Sequence, residues 1–352
     1  DYMAGIPKYD GFCTVPDHVD YKPVVGKFLN LYEPISHRPQ EGDFPCIRSL
    51  VEHIFGEQYE QGMDYLQLLY LYPIQKQPIL LLVSEERNTG KSTFLNFLKA
   101  IYQNNVTFNT NEDFRSQFNS DWAGKLLIMV DEVLLNRRED SERLKNLSTT
   151  LSYKVEAKGK DRDEIGFFAK FVLCSNNEHL PVIIDAGETR YWVRKIVPLK
   201  SDDTDFLQKL KTEIPAFLHF LQHRQLSTGK ESRMWFNPKL LETDALRKII
   251  RSNRNRLEIE MAELLLDIMA SVGVESVSFC LNDIVPLLVC SQVKVEKSQV
   301  RKVVQECWKL TPASNSLSYT TYQYDYNREC LYSPVRRIGR YYTVSKAQLE
   351  TL

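Results

Sequence analysis

The 352-residue chain has no long apolar run, no Cys-x-x-Cys pair and no surplus of charge of either sign. The longest candidate span, Ile79–Val83, has the length of a strand; a membrane-crossing helix needs roughly 18–20 apolar residues. Glycine (14) and proline (15) are too few for a collagen-like or linker-like chain. With 45 Lys and Arg against 46 Asp and Glu, the net charge is −1, so a nucleic-acid site has to be a local patch. The seven cysteines, at 13, 46, 174, 280, 290, 307 and 330, are odd in number and scattered. That spacing disfavours a zinc ribbon and fits a reduced, cytoplasmic setting. Asp1 stands where an initiator methionine would, and no signal peptide follows. The chain therefore reads as a processed or excised piece of a longer polypeptide.

What is present is ordinary for a folded protein: 43% hydrophobic and 26% charged residues, enough for two or three domains. Residues 1–43 are rich in Pro, Gly, Tyr and Asp without periodicity and read as an extended lead-in. A helical segment, 44–78, follows, with Ile47, Leu50, Val51, Ile54 and Phe55 at helical spacing. Three apolar runs, Ile79–Val83, Leu126–Val130 and Phe171–Cys174, have the character of strands buried on both faces. A shorter strand is expected at 106–110, and helical or turn segments separate the runs. This alternation predicts a parallel α/β sheet over 79–200. Residues 201–256 read as a helical lid and linker, the latter carrying Arg247, Lys248, Arg251, Arg254 and Arg256. The tail, 257–352, reads as helix, short strand, two helices (282–289 and 296–309) and two strands (319–324 and 340–344). Three helices followed by a ribbon is the order of a winged-helix-like domain.

Between the first apolar run and a predicted helix from Ser92 lies Ser84-Glu85-Glu86-Arg87-Asn88-Thr89-Gly90-Lys91-Ser92-Thr93. A strand before and a helix after form the context of a phosphate-binding loop. Gly90 lets successive N–H groups turn toward a phosphate, and the helix start adds its dipole. Lys91 would reach the β- and γ-phosphates of ATP and the Ser92 hydroxyl would bind Mg²⁺. Residues 85–93 are thus the expected ATP-binding loop. Glu85 occupies the place of the pattern's first glycine, where a carboxylate repels phosphate unless it points outward.

The second run, from Leu126, ends in Asp131-Glu132. Strand C-termini of an open parallel sheet converge on a ligand crevice. Asp131 is expected to hold Mg²⁺ through water and Glu132 to deprotonate the attacking water. The third run ends in Ser175-Asn176-Asn177, whose amides would hold a water or γ-phosphate without adding charge. Asn176 is assigned that role and Asn177 that of a turn residue.

These three elements, in this order and spacing, resemble the superfamily 3 helicases of viruses, phages and plasmids. The nearest likeness is to the primase-helicase proteins of phages and mobile elements. The resemblance covers about residues 44–225 and extends to Leu147–Glu164, similar to a basic hairpin that faces DNA in the ring channel. It also takes in Gly187–Leu199, similar to an arginine-bearing strand. It implies an AAA+-type ATPase core and a hexamer with ATP between subunits. It further implies translocation on single-stranded and forked DNA in the host cytoplasm, alongside a primase region or other replication proteins. It makes Arg190 the finger for a neighbour's γ-phosphate, with Arg194 and Lys195 as alternates. The competing role for Arg190 is a surface cation paired with Glu188 or Asp185. Lys154, Lys158 and Lys160, around Gly159, would grip the DNA backbone. The competing role there is a solvated charge run.

From Lys294 to the end, ten Lys and Arg face five Asp and Glu. Lys297, Arg301 and Lys302 on one helix, with Arg336, Arg337 and Arg340 around a glycine turn, would bind duplex phosphates. A protein-binding module is the alternative. Tyr319, Tyr322, Tyr324, Tyr326, Tyr341 and Tyr342 alternate at strand spacing and are expected to pack the ribbon. The function expected is that of an ATP-dependent DNA helicase. The alternative is a DNA-binding replication initiator or loader whose nucleotide site serves assembly. A small-molecule phosphotransferase lacks an evident acceptor site.

Overall fold

The computed structural model describes residues 8–350 apart from 116–121, 123, 156–162, 186, 200–202, 292, 294 and 326–330. The chain divides into two units, Asp1–Ile250 and Arg251–Leu352.

The first unit begins with three short strands, β1 (Gly11–Cys13), β2 (Val24–Val25) and β3 (Phe28–Asn30), in the order β1-β3-β2. Strands of two and three residues leave no period to read, so the sequence presents this stretch as featureless. Side chains fasten it. Asn30 accepts from the Val15 N–H at 2.9 Å and donates to the Val15 and Lys22 carbonyls. One ring nitrogen of His18 faces the Tyr70 carbonyl at 2.8 Å and the other the Tyr32 hydroxyl at 2.7 Å. A carbonyl only accepts, so the first nitrogen carries the proton and the second takes the hydrogen bond from Tyr32. The Tyr70 ring stacks on the imidazole at 5.6 Å.

Helices α1 (Pro45–Phe55) and α2 (Tyr59–Leu71) follow. Pro45 stands in the first turn of α1, and Ile47, Leu50, Val51, Ile54 and Phe55 form one buried stripe. Next come β4 (Ile79–Val83), α3 (Lys91–Tyr102), β5 (Val106–Phe108), α4 (Asn111–Arg115), β6 (Leu127–Val130) and α5 (Arg138–Thr149). The hairpin of β7 (Ser152–Val155) and β8 (Asp163–Gly166), then β9 (Lys170–Ser175), β10 (Tyr191–Lys195) and α6 (Phe206–His223) complete the core. Five strands form one all-parallel sheet in the order β10-β4-β9-β6-β5. Alternate residues of each strand enter opposite layers. Leu80, Leu82, Val172, Cys174 and Trp192 pack with α1, α2, α3 and α6. Ile79, Leu81, Val83, Phe171, Leu173 and Val193 pack with Leu144 and Leu147 of α5 and with Leu246 and Ile249. Burial on both faces is why β4 and β6 are apolar throughout and do not alternate. The strand expected at 106–110 stops at Phe108, because the Asp113 carboxylate takes the Thr110 N–H and opens α4.

Helix α7 (Asp244–Val272) is continuous through what the sequence suggested were a linker helix and a separate helix. The second unit continues with β11 (Ser276–Phe279), α8 (Leu281–Cys290), α9 (Lys297–Lys302) and a π-helical turn, Val303–Cys307. It ends with β12 (Leu317–Tyr324), β13 (Tyr332–Gly339), β14 (Tyr342–Ser345) and α10 (Lys346–Glu350). The ribbon partner of β12 is β13, which the sequence reading missed because Pro334, Arg336 and Arg337 obscure its alternation. The strand expected at 340–344 is β14, and it pairs with β11. Asp283 is the polar centre of this unit. It accepts from the Cys280 N–H at 2.7 Å, the Tyr319 hydroxyl at 2.6 Å and the Arg337 guanidinium at 2.5 Å. Among the described residues no helix is long and apolar enough to cross a membrane.

Burial lowers the pKa of His18 to about 4, against the opposing hydrogen bond to Tyr70. The unfolded chain therefore takes up a proton near pH 6.5 that the folded chain refuses. This contribution is complete above pH 6.5 and is lost as pH falls toward 4. Wild type is expected to lose roughly 3 kcal/mol more than His18→Phe across that window. Urea unfolding of both proteins at several pH values measures it, and parallel stability curves would refute the assignment.

Candidate functional site

The loop from Ser84 to Gly90 leaves β4 and enters α3, as the sequence suggested. Two residues make the turn with left-handed backbone, Asn88 at φ 53° and Gly90 at φ 80°. Glycine meets no steric cost there. Leu199 N–H bonds to the Asn88 carbonyl at 2.9 Å, and a His53 ring nitrogen to the Thr89 carbonyl at 2.9 Å. Glu85, Glu86, Arg87 and Asn88 are exposed; Thr89 and Lys91 are buried. The Glu85 carboxylate, in the place of the pattern's first glycine, lies 3.3 Å from a His179 ring nitrogen. The Lys91 ammonium donates to the Thr89 hydroxyl at 3.0 Å. Burial lowers its pKa, with Cys174, Asp131 and Glu178 opposing. Ser92 and Thr93 form the first turn of α3.

Ser92 and Asp131, 39 residues apart, meet: the Ser92 hydroxyl donates to the Asp131 carboxylate at 2.7 Å. One hydroxyl and one carboxylate, both exposed, could hold a Mg²⁺ only if water and a substrate phosphate supplied its other ligands. Among the described residues no group of three or more His, Cys, Asp or Glu would hold a metal without such a substrate. Glu132 is exposed and has left-handed backbone, φ 57°. The central strand β9 holds both motifs. Its Ser175 carbonyl accepts from the Ser84 N–H at 3.1 Å, and its Cys174 carbonyl from the Val133 N–H at 2.7 Å. Asn176 follows directly and is exposed beside the loop; Asn177 makes the turn, accepting from His179 and Leu180 N–H.

Arg190 is not part of this edge. The Ile79 N–H bonds to its carbonyl, so it stands where β4 and β10 begin, opposite the end where Lys91 lies. Its guanidinium donates to Glu188 at 2.8 Å while its buried Nε has no partner. It borders a cleft of about 420 Å³ lined also by Thr189, Ser232 and Arg233. Arg194 is buried and bonded to Glu57 and Gln58. Lys195, at the far end of β10, is bonded to Glu178 beside the loop.

The β7–β8 hairpin lies in the expected basic segment, but Lys158, Lys160 and the side chain of Lys154 are outside the described residues, as are Tyr326 and the Arg254 side chain. In the second unit Lys297, Arg301 and Lys302 are exposed on α9. Arg336 is exposed on β13, Arg337 is committed to Asp283, and Arg340 donates to the Ala313 carbonyl. Tyr319 is buried and stacked on Tyr341.

Two residues at the first site escaped the sequence reading. Asn111 donates to the Glu132 carbonyl at 3.1 Å and accepts from the Leu134 N–H at 2.9 Å, clamping the turn that carries Glu132. Glu178, 3% exposed, joins the loop to two lysines. Neither carries a sequence signal, since each reads as one more polar residue in a turn.

Residues 82–191 match a family of unknown function, DUF5906, a stretch that takes in Lys91, Asp131, Glu132, Asn176 and Arg190. No curated protein matches the chain. The fold is similar to a solved apo structure of the NrS-1 C-terminal region (305–718), with a TM-score of 0.57 and 18% identity over 94% of this chain and 85% of that one. A second apo structure of the same region, the A form, gives 0.57 and 18% over 86% and 73%. The P-loop-like parallel core is therefore an architecture shared with a solved protein.

Asn111→Ala removes both of the bonds that Asn111 makes to the Glu132 turn, at a cost of about 1 kcal/mol. Were this edge to hydrolyse a nucleotide, the variant would lose kcat with KM nearly unchanged, because the loop and Ser92 are untouched. A steady-state titration that shows KM alone rising would contradict the clamp.

Proposed function

We propose that the chain is an ATP-hydrolysing motor of helicase type acting on single-stranded and forked DNA. In this reading it is the motor part of a phage or mobile-element primase-helicase of superfamily 3 kind. The observation that carries the reading is the meeting of Ser92 with Asp131 at 2.7 Å, on the sheet edge that also bears Lys91, Glu132 and Asn176. A phosphate cation, a metal-binding hydroxyl, a carboxylate and a second carboxylate free of that pair make the set that phosphoryl transfer to water requires. Bound Mg²⁺ would neutralise charge on the β- and γ-phosphates.

In this reading the loop N–H groups from Arg87 to Thr93 receive the phosphates and Lys91 spans them. Glu132 takes the proton of the attacking water, and Asn176 orients that water without adding charge. Arg190 belongs at an edge that its own loop cannot use, which supports a role toward a neighbouring subunit in a ring, a hexamer in the superfamily. There its guanidinium would exchange Glu188 for a γ-phosphate. Lys154, Lys158 and Lys160 would grip the single strand. Exposed Lys297, Arg301, Lys302 and Arg336 would meet duplex phosphates, with Arg337 and Arg340 shaping the ribbon that presents them. The contact of the Glu85 carboxylate with His179 supports this reading over that of a replication initiator or loader whose nucleotide site serves assembly. Strand displacement on a labelled fork, with ATP and with the variants below, tests the reading; a protein that hydrolyses ATP yet never displaces a strand would overturn it.

Lys91→Ala is expected to abolish hydrolysis and weaken ATP binding, whereas Glu132→Gln should bind ATP and fail to turn over, because Asp131 still serves Mg²⁺. Nucleotide binding by calorimetry beside phosphate release separates the two; equal loss of binding in both would contradict the division of roles.

Arg190→Ala should fold and bind nucleotide yet lose roughly 10³-fold in hydrolysis. Mixing it with Lys91→Ala subunits should restore part of the activity, since a mixed ring pairs an intact loop with an intact arginine. Absence of rescue at every ratio would count against a shared site.

A further inference from the structure

The buried carboxylate of Glu178 has no role in the reading above, yet both its oxygens are engaged beside the phosphate loop. The Asn177 turn directs it inward at the end of β9. Its Oε1 accepts from the backbone N–H of Glu85, the first residue of the loop, at 3.3 Å. Its Oε2 accepts from Lys195 of β10 at 3.1 Å and from Lys248 of α7 at 2.9 Å. Burial alone would raise its pKa; the hydrogen bonds from Lys248 and Lys195 outweigh this and hold it below the ordinary value. One N–H of the loop is therefore committed to a protein carboxylate. A bare negative charge there would oppose an arriving polyanion, and Glu178 already lies within electrostatic reach of Lys91. Lys195 and Lys248 are partly exposed, 55% and 41%, and their alternative use would be to touch the phosphates themselves.

We propose that Glu178 is a positioning residue that pins the first turn of the loop, and that Lys195 and Lys248 favour nucleotide binding by cancelling its charge and not by contacting phosphate. The proposal rests on the nucleotide reading of the loop.

The test is a charge rescue in the full chain, read as ATP affinity by calorimetry, with heat unfolding as the check on folding. Lys195→Ala with Lys248→Ala is expected to weaken ATP binding about tenfold, less at high salt because the cause is electrostatic. Adding Glu178→Gln to that pair should restore affinity to within about threefold of wild type, since glutamine still accepts from the Glu85 N–H and carries no charge. Glu178→Ala alone should weaken binding at every salt concentration, because the pin is lost. Should the double lysine variant not fold, each single substitution carries the same comparison with a smaller loss. A triple variant no better than the double, or a double variant that binds as wild type does, overturns the proposal. Wild type and Lys91→Ala run alongside: if wild type fails to bind ATP, the nucleotide reading has failed, whereas normal wild-type binding without rescue sinks this inference alone.

Discussion

Strands that all run in one direction must all end on one edge, and everything chemical in the first unit follows from that. The strand interiors are buried on both faces and are built almost wholly of apolar side chains, with the buried Arg194 bonded to Glu57 and Gln58 as an exception. Polar groups are therefore expelled to the strand ends, and with parallel strands the C-terminal ends gather in one place. The loop after β4, Asp131 and Glu132 after β6, and Asn176 after β9 are neighbours for this reason, though the sequence scatters them over 90 residues. The central strand β9 lends backbone groups to both flanking motifs, so the register of one strand fixes the spacing of Lys91 and the carboxylates.

The same rule decides what was legible. Ile79–Val83 and Leu126–Val130 announce themselves because a doubly buried strand has a composition no loop shares. The loop announces itself through Gly90 and Lys91 between strand and helix. The hairpin partner β13 does not, because Pro334 and two arginines lie in it and its exposed face imposes no apolar pattern. Asn111 and Glu178 stay hidden for a different reason. Their importance lies in which backbone group they reach, Glu132 and Leu134 in one case and Glu85 in the other, and contact across the fold leaves no local trace in sequence.

Charge around the loop is arranged in pairs. Lys91 is bordered by Glu85, Asp131 and Glu178. The structure gives each acid an occupation: Glu85 with His179, Asp131 with Ser92, Glu178 with two lysines. Glu132 is exposed at the same edge, and its backbone is held through Asn111.

The lead-in at the start of the first unit bears on where this protein can be cut. It has almost no regular structure, and a boundary drawn from sequence falls naturally just before α1. Yet Tyr32 is 1% exposed and belongs to the same apolar layer as α1, α3 and α6, packed against Phe168. Glu33, Ser36 and His37 bond to Asn105, Gln103 and Ala100 at the end of α3. The lead-in is thus a strap laid across the C-terminal end of α3, the helix that begins at Lys91. A shortened chain that begins at α1 would strip one aromatic wall from the core and unfasten that helix at its far end. The smallest portion able to keep the loop in shape is therefore longer than the sheet and its helices, and it includes the residues that look least like a domain.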